Sequence, residues 1–267
     1  MSTARLAVER ELKLRFRNCS PAWWRPDGAA INPNKWSYRL TNLQSPLLLN
    51  NLDRLPNTIA HRTRRIYDRL ATVYPISTML FHSRAHRRAL EVSGITDGMR
   101  VLEAATGSGE MFRRLVRANR SGETVGFDLS PNMAASTHRK VVQEFPRACA
   151  HCHAVDARYM PYRSETFDAI VCCYLLELLG TEDILVTLGE FRRVLRRKGT
   201  LTLVCIGQNT KVFNHIYKAL GRLAPAFWGR QIEQRLPDFV EASDFRIVRD
   251  LHVRQTFYPS RVIVARK

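Results

Sequence analysis

Cysteine is scarce: six residues (Cys19, Cys149, Cys152, Cys172, Cys173 and Cys205) among 267 cannot make a disulfide scaffold of this size. Most of them fall in apolar runs, where a reduced thiol behaves as a small hydrophobe. No apolar stretch approaches the roughly 18 residues that would argue for a membrane span. The N-terminal MSTARLAVERELKLRFRN lacks the apolar core of a signal peptide, and Glu9 and Glu11 argue against an acid-poor transit peptide. These absences lead to the expectation of a cytoplasmic protein. No internal repeat is visible. Acidic residues are also few, with 24 Asp+Glu against 42 Lys+Arg and a formal charge of +18. Such a surface attracts polyanions, nucleic acid or anionic lipid headgroups, without choosing between them.

What is present is an ordinary soluble balance, 45% hydrophobic and 25% charged, in a chain long enough for a large core. Residues 1–56 hold three of the four Trp among Pro, Gly and Asn without periodicity, and read as a basic, loosely structured extension. Residues 57–98 carry apolar residues at three-to-four spacing and read as two amphipathic helices ending at Gly94. From residue 99 to 267, strands and helices alternate: MRVLEAA, EMFRRLVRAN, ETVGFDL, SPNMAASTHRKVVQEF, AHCHAVD, TFDAIVCCYLL, TEDILVTLGEFRRVLRR and GTLTLVCIG. Two strands without an intervening helix, FRIVRDLHVRQTFY and SRVIVARK, close the chain. Such alternation predicts an α/β fold, a mostly parallel sheet with helices on both faces and a terminal antiparallel hairpin.

The strongest chemical signal is VLEAATGSGEMFRRL, an apolar strand ending in Glu103, then a small-residue turn that opens a helix. Small residues allow close backbone approach to a ligand at the carboxyl end of a first strand. The second strand ends in GFDLS, placing Asp128 where a carboxylate can accept both hydroxyls of a ribose. Phe112 stands where a dinucleotide fingerprint would have its third glycine, so NAD is not the expected ligand. CAHCHAVDA contains the spacing C-x-x-C-H, yet a strand sends Cys149, His151 and His153 to one side and Cys152 to the other. That is a poor metal cage and no haem-attachment loop. The segment is expected to be a third strand leading into Asp156.

In this order and spacing the motifs resemble the class I S-adenosylmethionine-dependent methyltransferases. Over roughly residues 66–267 the chain is most similar to the ubiquinone/menaquinone biosynthesis branch. VLEAATGSGE is similar to V-L-D/E-x-G-x-G-T/S-G, VGFDLSPNM to V-x-G-x-D-x-S-x-x-M, and EFRRVLRRKGTLTLV to x-x-R-V-L-K-P-G-G-x-L. IYDRLATVY looks like the lid helix of the family, and AVDARYMPYRSETFDAIVCCYLLELL like its third-strand and fourth-strand region. The resemblance implies a Rossmann-like seven-stranded sheet and S-adenosyl-L-methionine as cofactor. It implies that Glu103, Ser108 and the backbone of Gly107 and Gly109 hold the methionine end, with Ala105 in place of the first glycine. Asp128 and the adjacent Leu129 would meet the ribose, Asp156 and Ala157 the adenine, and Cys173 the methionine pocket. Arg197 and Lys198 replace Pro-Gly in a turn that concerns the fold.

The function so implied is methyl transfer to a small lipophilic acceptor, a quinone precursor or phospholipid-like molecule. An RNA methyltransferase and a non-catalytic cofactor-binding relative are the alternatives. No base-reading motif supports the RNA reading: CCYLL is not N/D-P-P-Y, and Val171 stands where a cysteine nucleophile acting on cytosine has proline. No metal is expected. Candidates for a proton-accepting group are Tyr67, Tyr74, His82, His86, Glu177 and His215, with none singled out. The arginines of the leading helices, Arg62, Arg64, Arg65, Arg69, Arg84, Arg87 and Arg88, flank apolar residues and suit peripheral contact with an anionic membrane.

Overall fold

A computed structural model describes residues 74–207, 232–255 and 259–267, with side chains from Ser83 onward. The N-terminal extension and the first of the two expected leading helices lie outside the described residues. The second leading helix is α1 (Tyr74–Val92). Then follow β1 (Arg100–Ala104), α2 (Glu110–Ala118), β2 (Glu123–Asp128), α3 (Pro131–Glu144), β3 (Cys149–Ala154) and β4 (Phe167–Cys173). A 3₁₀ turn (Leu176–Leu178) leads to α4 (Thr181–Val194) and β5 (Leu195–Ile206), and α5 (Leu236–Ala242) to β6 (Arg246–Val253) and β7 (Ser260–Arg266).

The strands form one seven-stranded sheet in the order β3-β2-β1-β4-β5-β7-β6. The first five are parallel, while β7 runs antiparallel to both neighbours and sits between β5 and β6. The closing hairpin is therefore at the edge as expected, with its second strand inward. Burial explains this: Ser260 to Ala265 of β7 are mostly inaccessible, whereas β6 is largely exposed.

Period-two alternation divides the core into two faces. Leu102, Ile170, Leu203 and Ile263 pack with Ile184, Leu188 and Phe191 of α4 and Phe239 and Val240 of α5. On the other face Val101, Val171, Val204 and Val262 meet Ala85 and Ala89 of α1 and Met111 and Leu115 of α2. Ala85 and Ala89 are completely buried, so their methyl groups let α1 lie close on the sheet. Each large apolar side chain so removed from water contributes about 1.5–3 kcal/mol.

Local chemistry sets the boundaries. Ser130 caps α3, its hydroxyl accepting from the Met133 N–H at 3.2 Å, with Pro131 in the first turn. Helix α4 stops at Val194, before the run Leu195–Arg197 that helical periodicity would have included. Those residues begin β5, which pairs Leu195 with Phe167, and Lys198 takes φ 65° in the bulge that follows. Arg197 and Lys198 thus act on the strand connection, as their place in the sequence suggested. Cys152, Cys172, Cys173 and Cys205 are free thiols, whereas Cys149 is disulfide-bonded.

Candidate functional site

Strand order reverses between β1 and β4, because β1 leads to β2 on one side while β4 lies on the other. Open α/β sheets bind ligands outside the carboxyl ends of the strands at such a switch point. A pocket opens there, walled by Glu103, Ala105 to Ser108, Glu110 and Met111 at and beyond the end of β1, and by Phe127 to Ser130 and Met133 at and beyond the end of β2. Val155 to Arg158 follow β3, Cys173 ends β4 and Tyr174, Leu175, Leu178 and Leu179 follow it, and His86 comes from α1.

Hydrogen bonds hold the ends of these strands in register. The Thr106 N–H donates to the Phe127 carbonyl at 2.9 Å, and the Val155 N–H to the Asp128 carbonyl at 2.9 Å. The Asp128 carboxylate accepts from the Gly107 N–H at 2.8 Å and from the Ser130 N–H at 2.9 Å. It therefore ties the glycine loop to β2. Ala105, Gly107 and Gly109 all have left-handed backbone, with φ 60°, 49° and 82°. At Gly109, the N-cap of α2, a Cβ would come within 2.8 Å of Thr137 Oγ1 on α3. Glycine there allows α2 and α3 to close behind the loop.

Glu103 shares the side of β1 occupied by Val101 and is 1% exposed. Burial, and then the negative charge of Asp128, push its carboxyl well above the usual range. Among the described residues its Oε2 has no hydrogen-bond partner. A buried acceptor of this kind costs on the order of 1–3 kcal/mol until a donor reaches it. Asp156 is held differently, by the Arg158 guanidinium at 2.7 Å. The hydrogen bond to Asp156 raises the pKa of Arg158 still further, against the opposing effect of burial. On the opposite wall the His86 and Tyr174 rings lie 6.0 Å apart, and the Tyr174 hydroxyl is 2.8 Å from Ser260 Oγ.

Comparison with known proteins agrees with this geometry. The methyltransferase domain family matches residues 101–199. The ubiquinone/menaquinone biosynthesis C-methyltransferase of Syntrophotalea carbinolica is 30% identical over 196 residues, 67% of this chain and 78% of that protein. The chain belongs to the class I S-adenosylmethionine-dependent methyltransferases, in the ubiquinone/menaquinone branch. The Cellvibrio japonicus protein of the same name is 26% identical over 54% of this chain and 59% of that protein. This methyltransferase therefore spans less than two thirds of the length of some relatives it matches. In fold it is like magnesium protoporphyrin IX methyltransferase from Synechocystis, solved with bound S-adenosylhomocysteine. The TM-score is 0.56 at 19% identity, covering 72% of this chain and 86% of that one.

The cofactor of the family is S-adenosylmethionine, and the pocket of this methyltransferase fits it. The orphaned Glu103 oxygen suits an ammonium donor, the Asp128 carboxylate suits hydroxyls, and the left-handed small-residue loop leaves room between them. Of the ten residues expected from sequence, Glu103, Ala105, Gly107, Ser108, Asp128, Leu129, Asp156, Ala157 and Cys173 line the pocket. Gly109 stands behind it as a helix cap.

Among the proton-acceptor candidates, His86 lines the pocket. Glu177 is buried outside its wall, with Oε1 accepting from the Ile206 N–H at 2.7 Å. Tyr67 and His215 lie outside the described residues, as do the side chains of Tyr74 and His82. Sequence reasoning missed Arg158, Tyr174, Leu175, Leu178 and Leu179. For Arg158 a signal existed in the acid two residues before it. Tyr174 gave none, since its position follows from φ 56° just past β4.

Glu123, Cys149 and His151 converge on the outer strands, with ligand atoms within 4.8 Å of one another. The sulfur is committed to a disulfide rather than available as the thiolate that binds metal.

Proposed function

We propose that the chain transfers a methyl group to a ring carbon of a small lipophilic acceptor of the quinone-precursor type. The observation that carries this is the wall of Met111, Cys173, Tyr174 and Leu175, an apolar surface with the titratable ring of His86 beside it. The relatives named as quinone C-methyltransferases support the same acceptor class. When bound, S-adenosylmethionine supplies an electrophilic sulfonium methyl for in-line displacement, which needs no covalent help from the protein. In this reading Glu103, Ser108 and the Gly107 backbone hold the methionine end, and Asp128 with Leu129 holds the ribose. Asp156 and Ala157 border the adenine. The apolar wall excludes water, and a ring nitrogen of His86 takes the proton that the acceptor carbon gives up.

Arg84, Arg87 and Arg88 line an open groove on α1 together with His252, Val253 and Arg254 at the end of β6. Its acid, Glu91, is paired with Arg88 at 3.0 Å. These arginines are exposed on the helix that also carries His86, and they support peripheral contact with an anionic membrane from which a lipophilic acceptor would arrive.

Incubation with labelled cofactor and separate quinone, phospholipid and RNA fractions tests the acceptor. Label is expected in the quinone fraction. His86→Gln should lower turnover by roughly a hundredfold while cofactor affinity is unchanged. Label appearing only in RNA would overturn the proposal.

A further inference from the structure

The loop after β3 clamps a carboxylate from two directions. Asp156 Oδ1 accepts from the backbone N–H of Arg158 at 3.0 Å and from its Nε at 3.0 Å. Asp156 Oδ2 accepts from Nη2 of the same side chain at 2.7 Å, with Nε more distant at 3.3 Å. The other terminal nitrogen, Nη1, donates to Asp183 Oδ1 at 3.1 Å, in the first turn of α4. The Arg158 side chain is 9% exposed and the Asp156 side chain 13%, so little water competes for either.

A carboxylate offers about four lone-pair directions, and Arg158 occupies most of them. What remains is an acceptor of fixed direction at the rim of the pocket, which Arg158 and Asp156 both line. A planar guanidinium fork fixes the plane of its partner, whereas an ammonium would neutralise the charge and leave the carboxylate free to turn. The bond to Asp183 anchors the fork to a helix rather than to the loop alone.

We propose that Arg158 is a positioning residue that orients Asp156, and thereby sets the preference of this chain for a 6-amino over a 6-oxo purine in its cofactor. This rests on the reading that Asp156 meets the adenine. A carboxylate accepts from an exocyclic amine and opposes a carbonyl oxygen, but only if its open lone pair is held toward that edge.

Calorimetric binding of S-adenosylhomocysteine and S-inosylhomocysteine tests the proposal in the wild type and in Asp156→Ala, Arg158→Gln, Arg158→Lys and Asp183→Asn. The wild type should prefer the adenosyl compound. Asp156→Ala should abolish the preference, and Arg158→Gln should reduce it by about tenfold, the worth of one charge-assisted hydrogen bond. Arg158→Lys should reduce it similarly, because it retains the charge and loses the fork. This variant, with Asp183→Asn, carries the test if Arg158→Gln does not fold. If Asp156→Ala keeps the wild-type preference, the adenine reading itself fails. If that variant loses the preference while both Arg158 variants weaken the two ligands equally, Arg158 is merely structural and the proposal is overturned.

Discussion

At the scale of single residues, the most informative departure from the family pattern is Ala105. Its φ of 60° is one that a non-glycine residue adopts at a cost of roughly 1–2 kcal/mol, and it lines the pocket. Strain of this kind persists where surrounding contacts over-determine the backbone, and here the Gly107–Asp128 and Thr106–Phe127 hydrogen bonds do so. Ala105→Gly should therefore stabilise the fold by about 1 kcal/mol, less the extra entropy that glycine gives the unfolded chain. It should leave cofactor affinity equal or higher. Denaturant unfolding that shows the glycine variant to be less stable would refute the strain. The residues legible in the sequence, Glu103 and Asp128, are acids at the ends of apolar strands, where position alone implies a ligand. Arg158 was only half legible: the acid two residues before it gave a signal, but its role also depends on a loop folding back and on a partner 25 residues away in α4.

At the scale of elements, Glu177 joins the 3₁₀ turn after β4 to the end of β5. Oε1 accepts from the Ile206 N–H, and Oε2 has no partner among the described residues. Burial pushes its pKa from 4.5 up to about 7, with the backbone hydrogen bond from Ile206 opposing. A carboxyl whose folded pKa is raised binds its proton more tightly when folded, so ionisation opposes folding. Stability from this group is constant below about 4.5, falls as pH rises toward 7, and levels off above it. The span amounts to about 3 kcal/mol at roughly 1.4 kcal/mol per unit. Glu177→Gln should flatten that part of the profile, and parallel unfolding curves from pH 5 to 8 for both proteins would count against it. The turn carries Leu178, and Leu175 and Leu179 flank it, so loosening it at high pH would also disturb the pocket wall. Element order and type were legible because period-two and three-to-four spacings are strong here. The end of α4 was not, since Leu195–Arg197 suits a helix locally and becomes strand only by pairing with Phe167.

At the scale of the whole molecule, the charge of +18 favours contact with polyanions. The sequence placed arginines on the leading helices but did not show what lies beside them. The structure brings Arg254 and His252, from the far end of the chain, beside Arg84, Arg87 and Arg88 of α1. Among the described residues, Arg84, Arg87 and Arg254 make no ion pair, so their charge is directed to solvent. No helix among the described residues is long and apolar enough to cross a membrane, which leaves surface contact as the route by which the groove would meet lipid. Each basic residue near an anionic surface contributes about 1 kcal/mol, and salt screens the attraction. The protein should therefore sediment with anionic liposomes at low salt, release at high salt, and stay in solution with zwitterionic ones. Reversing Arg84, Arg87 and Arg88 to Glu should weaken binding by at least on the order of a hundredfold, the equivalent of about three basic contacts. Cofactor binding should persist in that variant, because the pocket lies on the other side of α1. If the wild type ignores liposomes but shifts RNA under the same conditions, the groove serves a nucleic acid and the membrane reading fails.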